Sequence, residues 1–250
     1  AVSCSHRIQA SIHNITECIN SYGGPLLIKE YDAIDQITKK GKKPITCIIG
    51  GSKITTKIKV LVNLIKKSNN LVIIGAMANN FLKYKGFNIG SSLVEKNSEK
   101  FVEEIYKEAK KNSCNICVPV DCFCAKTFDG KAVYKSLNDL NSNEMILDIG
   151  KKTINLIKNI IGSSQTIFWN GPAGYYENAE FSKGTVEISD EIAKKTENNS
   201  IMSIVGGGDT IAAIKKTSNL KTFSHLSTAG GAFLESLEGK DLPGIKVLKN

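Results

Sequence analysis

The sequence predicts an α/β protein, a three-layer α/β/α domain on a six-stranded, mainly parallel sheet. Three observations carry that expectation. Six short apolar runs recur: Ile45 to Ile49, Leu71 to Ile74, Ile116 to Val120, Thr166 to Trp169, Ile201 to Val205 and Phe223 to Leu226. Most are continuous rather than alternating, as strands covered on both faces should be. Between them lie stretches with helical spacing, and the glycine-rich, polar motifs follow the run ends. In open parallel sheets ligands bind beyond the carboxyl ends of the strands, so the expected architecture is Rossmann-like with its binding face at that end.

In chain order, the first 24 residues stand apart. Ser11 to Asn20 has helical spacing, and Gly23-Gly24-Pro25 then breaks the chain. A second helix is expected over Leu27-Tyr31-Ile34-Ile37, ending near Gly41. After the first strand, Ile54-Ile58-Leu61-Ile65 repeats at one face of a helix. Phe101-Ile105-Ala109, Ile154-Ile157-Ile161 and Ile188-Ile192 mark further helices. Phe128 to Asn143 is polar and is expected to be an excursion from the sheet.

Composition narrows the function classes. No run approaches ~18 apolar residues, so no membrane span is expected. Ala1 to Arg7 lacks the basic-then-apolar layout of a signal peptide, and a cytoplasmic location is expected. The net charge is +9, but the lysines are spread through helix-like stretches such as Lys107 to Lys111 and Lys151 to Lys158. Aromatic residues make up 7% and do not interleave with these runs, which argues for a solvated surface rather than a nucleic-acid patch. Among the seven cysteines, Cys114-Asn115-Ile116-Cys117 and Cys122-Phe123-Cys124 cluster, but no His or second Cys-x-x-Cys follows at ligand spacing. Buried, reduced thiols are expected there.

Four constellations sit at run ends. Gly206-Gly207-Gly208-Asp209-Thr210 turns a buried run into a helix with a bare N-terminus. Such a terminus faces anions, and Asp209 adds a hard oxygen ligand suited to Mg²⁺. The third glycine of a dinucleotide fingerprint is missing, since position 211 is Ile, and a packing turn would use the same glycines. Gly50-Gly51-Ser52-Lys53-Ile54-Thr55-Thr56-Lys57 lacks P-loop spacing. Its two lysines at i, i+4 would share a helix face at an N-terminal turn, a phosphate position, or would simply be two surface lysines. Trp169-Asn170-Gly171-Pro172 leads to Glu177, whose carboxylate could accept two hydrogen bonds from a ribose diol or stay solvated. Ser227-Thr228-Ala229-Gly230-Gly231-Ala232 is a second glycine-rich turn into a helix, hence a second anion-facing terminus. His225 and Trp169 are expected in the core.

Together these residues resemble the phosphoglycerate kinase family. All four motifs occur in order at family-like spacing, and the resemblance runs from Ser5-His6-Arg7 to Asp241-Leu242-Pro243-Gly244. It implies a two-domain hinge enzyme that moves a phosphoryl group reversibly between 1,3-bisphosphoglycerate and ADP, giving 3-phosphoglycerate and ATP in glycolysis. On that resemblance, residues 1–24 are a remnant of the N-terminal phosphoglycerate-binding domain, 25–40 an interdomain helix, and 41–250 the C-terminal Mg-nucleotide-binding domain. ADP/ATP with Mg²⁺ are the implied ligands, with a monomer and no nucleic-acid or membrane partner.

By the same resemblance, Lys57 steadies the transferring phosphoryl group, Lys53 serves the nucleotide phosphates, and Gly230 and Gly231 belong to the catalytic set. Asp209 binds Mg²⁺, and Gly207, Gly208 and Thr210 cradle phosphates. Glu177 holds the ribose, Asn170 lies along the phosphate chain, and Gly51, Gly150 and Pro172 line the nucleotide slot. Arg7 matches a substrate-contacting arginine. Ile74, Thr56, Ala76, Lys151 and Ala229 depart from the usual family residues, and Ile74 and Ala76 are expected to reshape the adenine slot. The alternative is a stand-alone nucleotide-binding module without kinase activity, because most of the substrate-binding domain is not in this sequence.

Overall fold

The computed structural model describes residues 2–215 and 217–248. Its strands are β1 (Ile45–Ile49), β2 (Asn70–Ile73), β3 (Asn115–Cys117), β4 (Asp121–Ala125), β5 (Val133–Ser136), β6 (Met145–Ile149), β7 (Thr166–Asn170), β8 (Met202–Gly206) and β9 (His225–Leu226). Its α-helices are α1 (Pro25–Asp35), α2 (Ile58–Ile65), α3 (Ala78–Tyr84), α4 (Glu99–Lys111), α5 (Lys151–Gly162), α6 (Lys183–Glu197), α7 (Gly208–Ile214), α8 (Gly231–Leu237) and α9 (Pro243–Lys246).

The six expected runs form one six-stranded sheet in the order β3-β2-β1-β7-β8-β9. Every pairing in it is parallel, so the sheet is wholly rather than mainly parallel. The third strand is shorter than its apolar run: it stops at Cys117, ahead of Pro119, which has no N–H for the ladder. Alternate residues feed two cores. Cys47, Ile49, Leu71, Ile73, Phe168 and Ile204 pack with Val60, Leu61, Phe81, Ile105 and Phe233 on one face. Ile48, Val72, Ile167, Trp169 and Val205 pack with Ile154, Ile157, Ile188 and Ile214 on the other. This double coverage is why the strands read as continuous apolar runs.

One expectation needs correction. Ser11 to Asn20 is not an α-helix; it holds turns and a 3-10 helix, Asn14–Glu17, with no buried residue. Ile15 and Ile19 are exposed, so the apolar spacing has no surface to pack against, and a short helix without packing is marginal. The stretch from Phe128 to Asn143 leaves the main sheet as expected and supplies β5 to a second, antiparallel sheet, β5-β4-β6. The helix expected over Leu27 to Ile37 is α1, prolonged by a π-helical turn over Gln36–Lys40.

The second sheet is fastened to the first layer by two buried carboxylates. Asp121 on β4 accepts hydrogen bonds from the Lys152 and Thr153 amides at 2.8 and 2.9 Å, and from the Thr153 hydroxyl at 2.6 Å. It thereby caps α5, which has no side-chain cap of its own. Asp148 on β6 accepts from the Ile149 amide at 2.8 Å and the Gly184 amide at 2.7 Å, the latter in the first turn of α6. Cys122 and Cys124, two apart on β4, share a face and are both fully buried. Burial pushes the Cys47 and Cys122 thiols up to about 12, which leaves them protonated and unreactive at neutral pH.

Burial also raises the Asp148 carboxyl to about 7, against the opposing pull of its two amide donors. Between pH ~4 and 7 the folded chain therefore holds a proton that the unfolded chain releases, and stability falls as pH rises. Asp148→Asn should flatten this slope, which is worth on the order of a few kcal/mol across the window. Urea unfolding at pH 4.5 and 7.5 checks it; an unchanged slope in the variant would remove Asp148 as the cause.

Candidate functional site

The four glycine-rich turns leave β1, β7, β8 and β9, which are consecutive in the sheet. Because these strands are parallel, all four turns open on one end. Ile49 pairs with Asn170, and Asn170 with Gly206, so three of the strand ends are flush. The β1 and β7 turns touch backbone to backbone: a Cβ on Gly50 would lie 2.5 Å from the Pro172 carbonyl, and one on Gly171 would lie 2.6 Å from Gly50 Cα. Only glycine permits that approach.

Lys57 lies at this junction. Its ammonium donates to the Gly50 carbonyl at 2.8 Å and to Asn170 Oδ1 at 3.0 Å. Burial lowers its pKa to about 8, partly offset by the negative charge of Asp209. Lys53 is exposed. The two lysines do not share a helix face, because α2 begins only at Ile58 with Lys57 as its N-cap. An internal anion braces the turn that precedes α2. Glu95 accepts from the Ile54 amide, from the Thr55 amide at 3.1 Å and from the Thr55 hydroxyl at 2.6 Å, closing residues 54–57 into a turn.

At the next strand end, Gly207 has φ +97° and leads into α7 without a side-chain cap. A Cβ there would lie 2.9 Å from Asn170 Nδ2. Thr210 is fully buried, and its hydroxyl accepts from the Gly171 amide at 2.6 Å, knitting the β7 turn to α7. Gly208 and Asp209 are exposed. After β9, Gly230 (φ +57°) leads into α8, also without a side-chain cap, and Gly230 and Gly231 are exposed. That turn is moored to α1: Glu30 accepts from the Thr228 amide at 2.6 Å and hydroxyl at 2.9 Å and lies 3.1 Å from His225 Nε2. Burial raises the Glu30 carboxyl, but His225, Thr228 and Ser227 outweigh it and hold the group down at about 2. His225 is thus a half-buried partner of a carboxylate, and Trp169 is fully buried with its indole N–H on the Gly171 carbonyl at 2.8 Å.

A cleft opens beside these turns. Gly51, Pro172, Glu177 and Asp209 line it, with Gly75, Ala76, Asn79 and Leu93 on one wall. Phe128, Tyr175, Tyr176 and the β6 residues Met145 to Ile149 form the other. Lys57, Asn170, Gly207 and Thr210 are joined to this set through the hydrogen bonds and close approach above. The other expected residues do not line the cleft: Lys53, Gly208, Gly230 and Gly231 are exposed beside their turns, and Gly150, Arg7 and Ile74 lie elsewhere. Gly150 is buried under the Asp121 carboxylate, with a would-be Cβ 2.6 Å from either oxygen, so its glycine is required by packing. Arg7 is exposed in the turn after the 3-10 helix Val2–Cys4. Ile74 is fully buried in the second core and does not reshape the cleft, whereas Ala76 does line it.

The wall formed by Phe128 and β6 was absent from the motif reading. Phe128 and Tyr175 pack with ring centroids 5.0 Å apart at the cleft. Nothing local in sequence marks Glu30 or Glu95, whose partners lie 198 and about 40 residues away.

The family model described as phosphoglycerate kinase matches residues 1–240. Phosphoglycerate kinases from Orientia tsutsugamushi (strain Ikeda) and Wolbachia pipientis (Culex pipiens strain wPip) are 44% and 42% identical over 251 and 249 residues. Those alignments cover 99% and 98% of this chain but 62% and 63% of the relatives. The structure of phosphoglycerate kinase from Coxiella burnetii superposes with TM-score 0.94 at 39% identity, covering 100% of this chain and 64% of that one. That from Pyrococcus horikoshii OT3 gives 0.85 at 29% identity, covering 100% and 62%.

Lys57 should titrate near 8 in the free protein. Between pH ~8 and ~10.4 the folded chain then has a neutral Lys57 while the unfolded chain keeps the proton, so this group makes stability rise with pH in that window. NMR titration of the lysine Cε resonances, assigned with Lys57→Met, checks it. A Lys57 midpoint above 10 would mean that its charge is not destabilised by burial.

Proposed function

The chain belongs to the phosphoglycerate kinase family, and from that premise we propose that it is the Mg-nucleotide-binding part of such a kinase. The reaction is reversible phosphoryl transfer between 1,3-bisphosphoglycerate and ADP. The observation that carries the reading is the grouping of four glycine-rich turns on consecutive parallel strand ends, three of which line one cleft. Two of the turns present uncapped helix N-termini, α7 and α8, which favour phosphate oxygens.

In this reading the base enters between Gly75–Ala76 and the Phe128 and β6 wall, and Glu177 takes the ribose hydroxyls. The phosphates run along Gly207 and Gly208, the amide of Thr210 and the side chain of Asn170. The Thr210 hydroxyl stays structural, since the Gly171 amide already uses it. Asp209 is an exposed carboxylate on the cleft, the hard oxygen donor that Mg²⁺ accepts alongside phosphate and water. The ion would neutralise phosphate charge there. Lys57 leaves its two neutral acceptors to meet the transferring phosphoryl group, Lys53 serves the nucleotide phosphates, and Gly230 and Gly231 belong to the catalytic set. Catalysis of this kind is positioning and charge neutralisation, without a covalent intermediate.

This chain spans about 63% of the length of its relatives. The proposal assigns the cradle for phosphoglycerate to sequence beyond these residues, with residues 1–24 and Arg7 belonging to it and 25–40 joining the two parts. Orientation of both reactants supplies much of such a rate, up to ~7–11 kcal/mol, so the isolated chain should bind nucleotide and turn over slowly. Slow turnover with intact binding is also what a stand-alone nucleotide module would give, and a coupled kinase assay on a chain extended to the relatives' length separates the two.

Mg-ADP should bind the isolated chain in a calorimeter, and Asp209→Ala should weaken Mg-ADP about tenfold more than metal-free ADP. Absence of Mg-ADP binding would overturn the reading, and equal losses for both ligands would remove Asp209 as the metal ligand. Affinity should also decline as pH rises through about 8, where Lys57 loses its charge.

A further inference from the structure

We propose that Glu95 is a positioning residue that ties one wall of the cleft to the turn carrying Lys53 and Lys57. This rests on the nucleotide-binding reading above. Glu95 uses both carboxylate oxygens on that turn: one receives the Ile54 and Thr55 amides, the other the Thr55 hydroxyl. Three donors converging on one side chain need a charged, two-oxygen acceptor. Burial raises the Glu95 carboxyl, but these donors and the nearby Lys53 charge outweigh it and hold it below its ordinary value.

The other side of Glu95 is fixed to the cleft. Its amide donates to Asn80 Oδ1 at 3.0 Å, and Asn79 Nδ2 donates to the Leu93 carbonyl at 3.0 Å. Asn79 and Asn80 are 1% and 2% exposed, at the start of α3. The Met77 amide, one residue before α3, donates to the Gly51 carbonyl at 2.7 Å. A closed circuit results, from Gly51 through Met77 and Asn80 to Glu95 and back to Thr55. Gly51, Ala76, Asn79 and Leu93 of this circuit line the cleft. Whatever presses on that wall therefore acts on the segment that sets where Lys57 leaves the backbone. A carboxylate also occupies the amides at the start of this turn, so incoming phosphate is left to the lysine side chains rather than to the Ile54 and Thr55 amides.

The test is calorimetry with Mg-ADP and with adenosine on the unaltered chain, Glu95→Gln and Thr55→Val. Each variant should lose Mg-ADP affinity about tenfold while adenosine stays within about twofold, because only the phosphate end depends on the turn. The double variant should be no weaker than Glu95→Gln alone, since Thr55→Val removes one of the contacts that Glu95→Gln already disturbs. Equal loss of adenosine and Mg-ADP would make Glu95 merely structural and overturn the proposal, as would unchanged Mg-ADP binding. If circular dichroism shows Glu95→Gln unfolded, Thr55→Val, at an exposed position, decides alone. An unaltered chain that fails to bind Mg-ADP overturns the nucleotide reading itself, whereas normal binding with indifferent variants overturns only the role of Glu95.

Discussion

Everything in the binding region hangs on the register of the parallel ladder through β1, β7 and β8. Ile49 is paired with Asn170 and Asn170 with Gly206. A slip of one residue would reverse the face of every side chain on the slipped strand and break the two-sided core. The same register puts Asn170 between the two neighbouring turns, with Oδ1 on the Lys57 ammonium and Nδ2 against Gly207. One buried amide side chain thus reads the position of both neighbours. The glycines at 50 and 171 follow from this constraint, because flush strand ends force their turns into backbone contact.

The buried charges are distributed in a way that the cores cannot supply. Lys57 is hydrogen-bonded to two neutral acceptors, and the Asp209 charge only partly offsets burial, so its pKa falls to about 8. Glu30 has the opposite balance, with enough donors to keep its charge despite burial. Asp121 and Asp148 use buried carboxylates to dock the second sheet through backbone amides of α5 and α6. Lys57 and Asp148, whose charges burial disfavours, both border the cleft, whereas Glu30 keeps its charge and braces the scaffold.

Most of the main sheet was legible because covered parallel strands leave continuous apolar runs, and all six runs are strands. The four motifs were legible because their glycines are required by strand-end geometry, which is local. The second sheet was harder. Its strands are short, one face is partly open, and Val133 and Tyr134 are exposed, so no apolar run marks β5. Ser11 to Asn20 misled because apolar spacing alone says nothing about whether a partner surface exists. The lysine pair misled for a different reason: helix phase was assumed from Ile54, but residues 54–57 form a turn braced by Glu95, distant in sequence, and the helix starts at Ile58. Gly150 was read as part of a slot, yet its glycine answers to Asp121 on another strand. Long-range carboxylates are the common cause, and no local pattern announces them.

Charge around the cleft is mixed in a way that constrains its ligand. Lys53, Lys57 and two uncapped helix N-termini favour an anionic chain. Asp209 and Glu177, both exposed on the same cleft, oppose one. A bare polyphosphate would meet the Asp209 carboxylate without compensation, while a neutral nucleoside would leave both helix termini unused. A ligand that carries phosphates, a divalent cation and a diol satisfies all of these groups together. Under the proposed reading, then, the carboxylates act as selectors: they convert a general anion site into one that favours the magnesium complex of a ribonucleotide over phosphate alone.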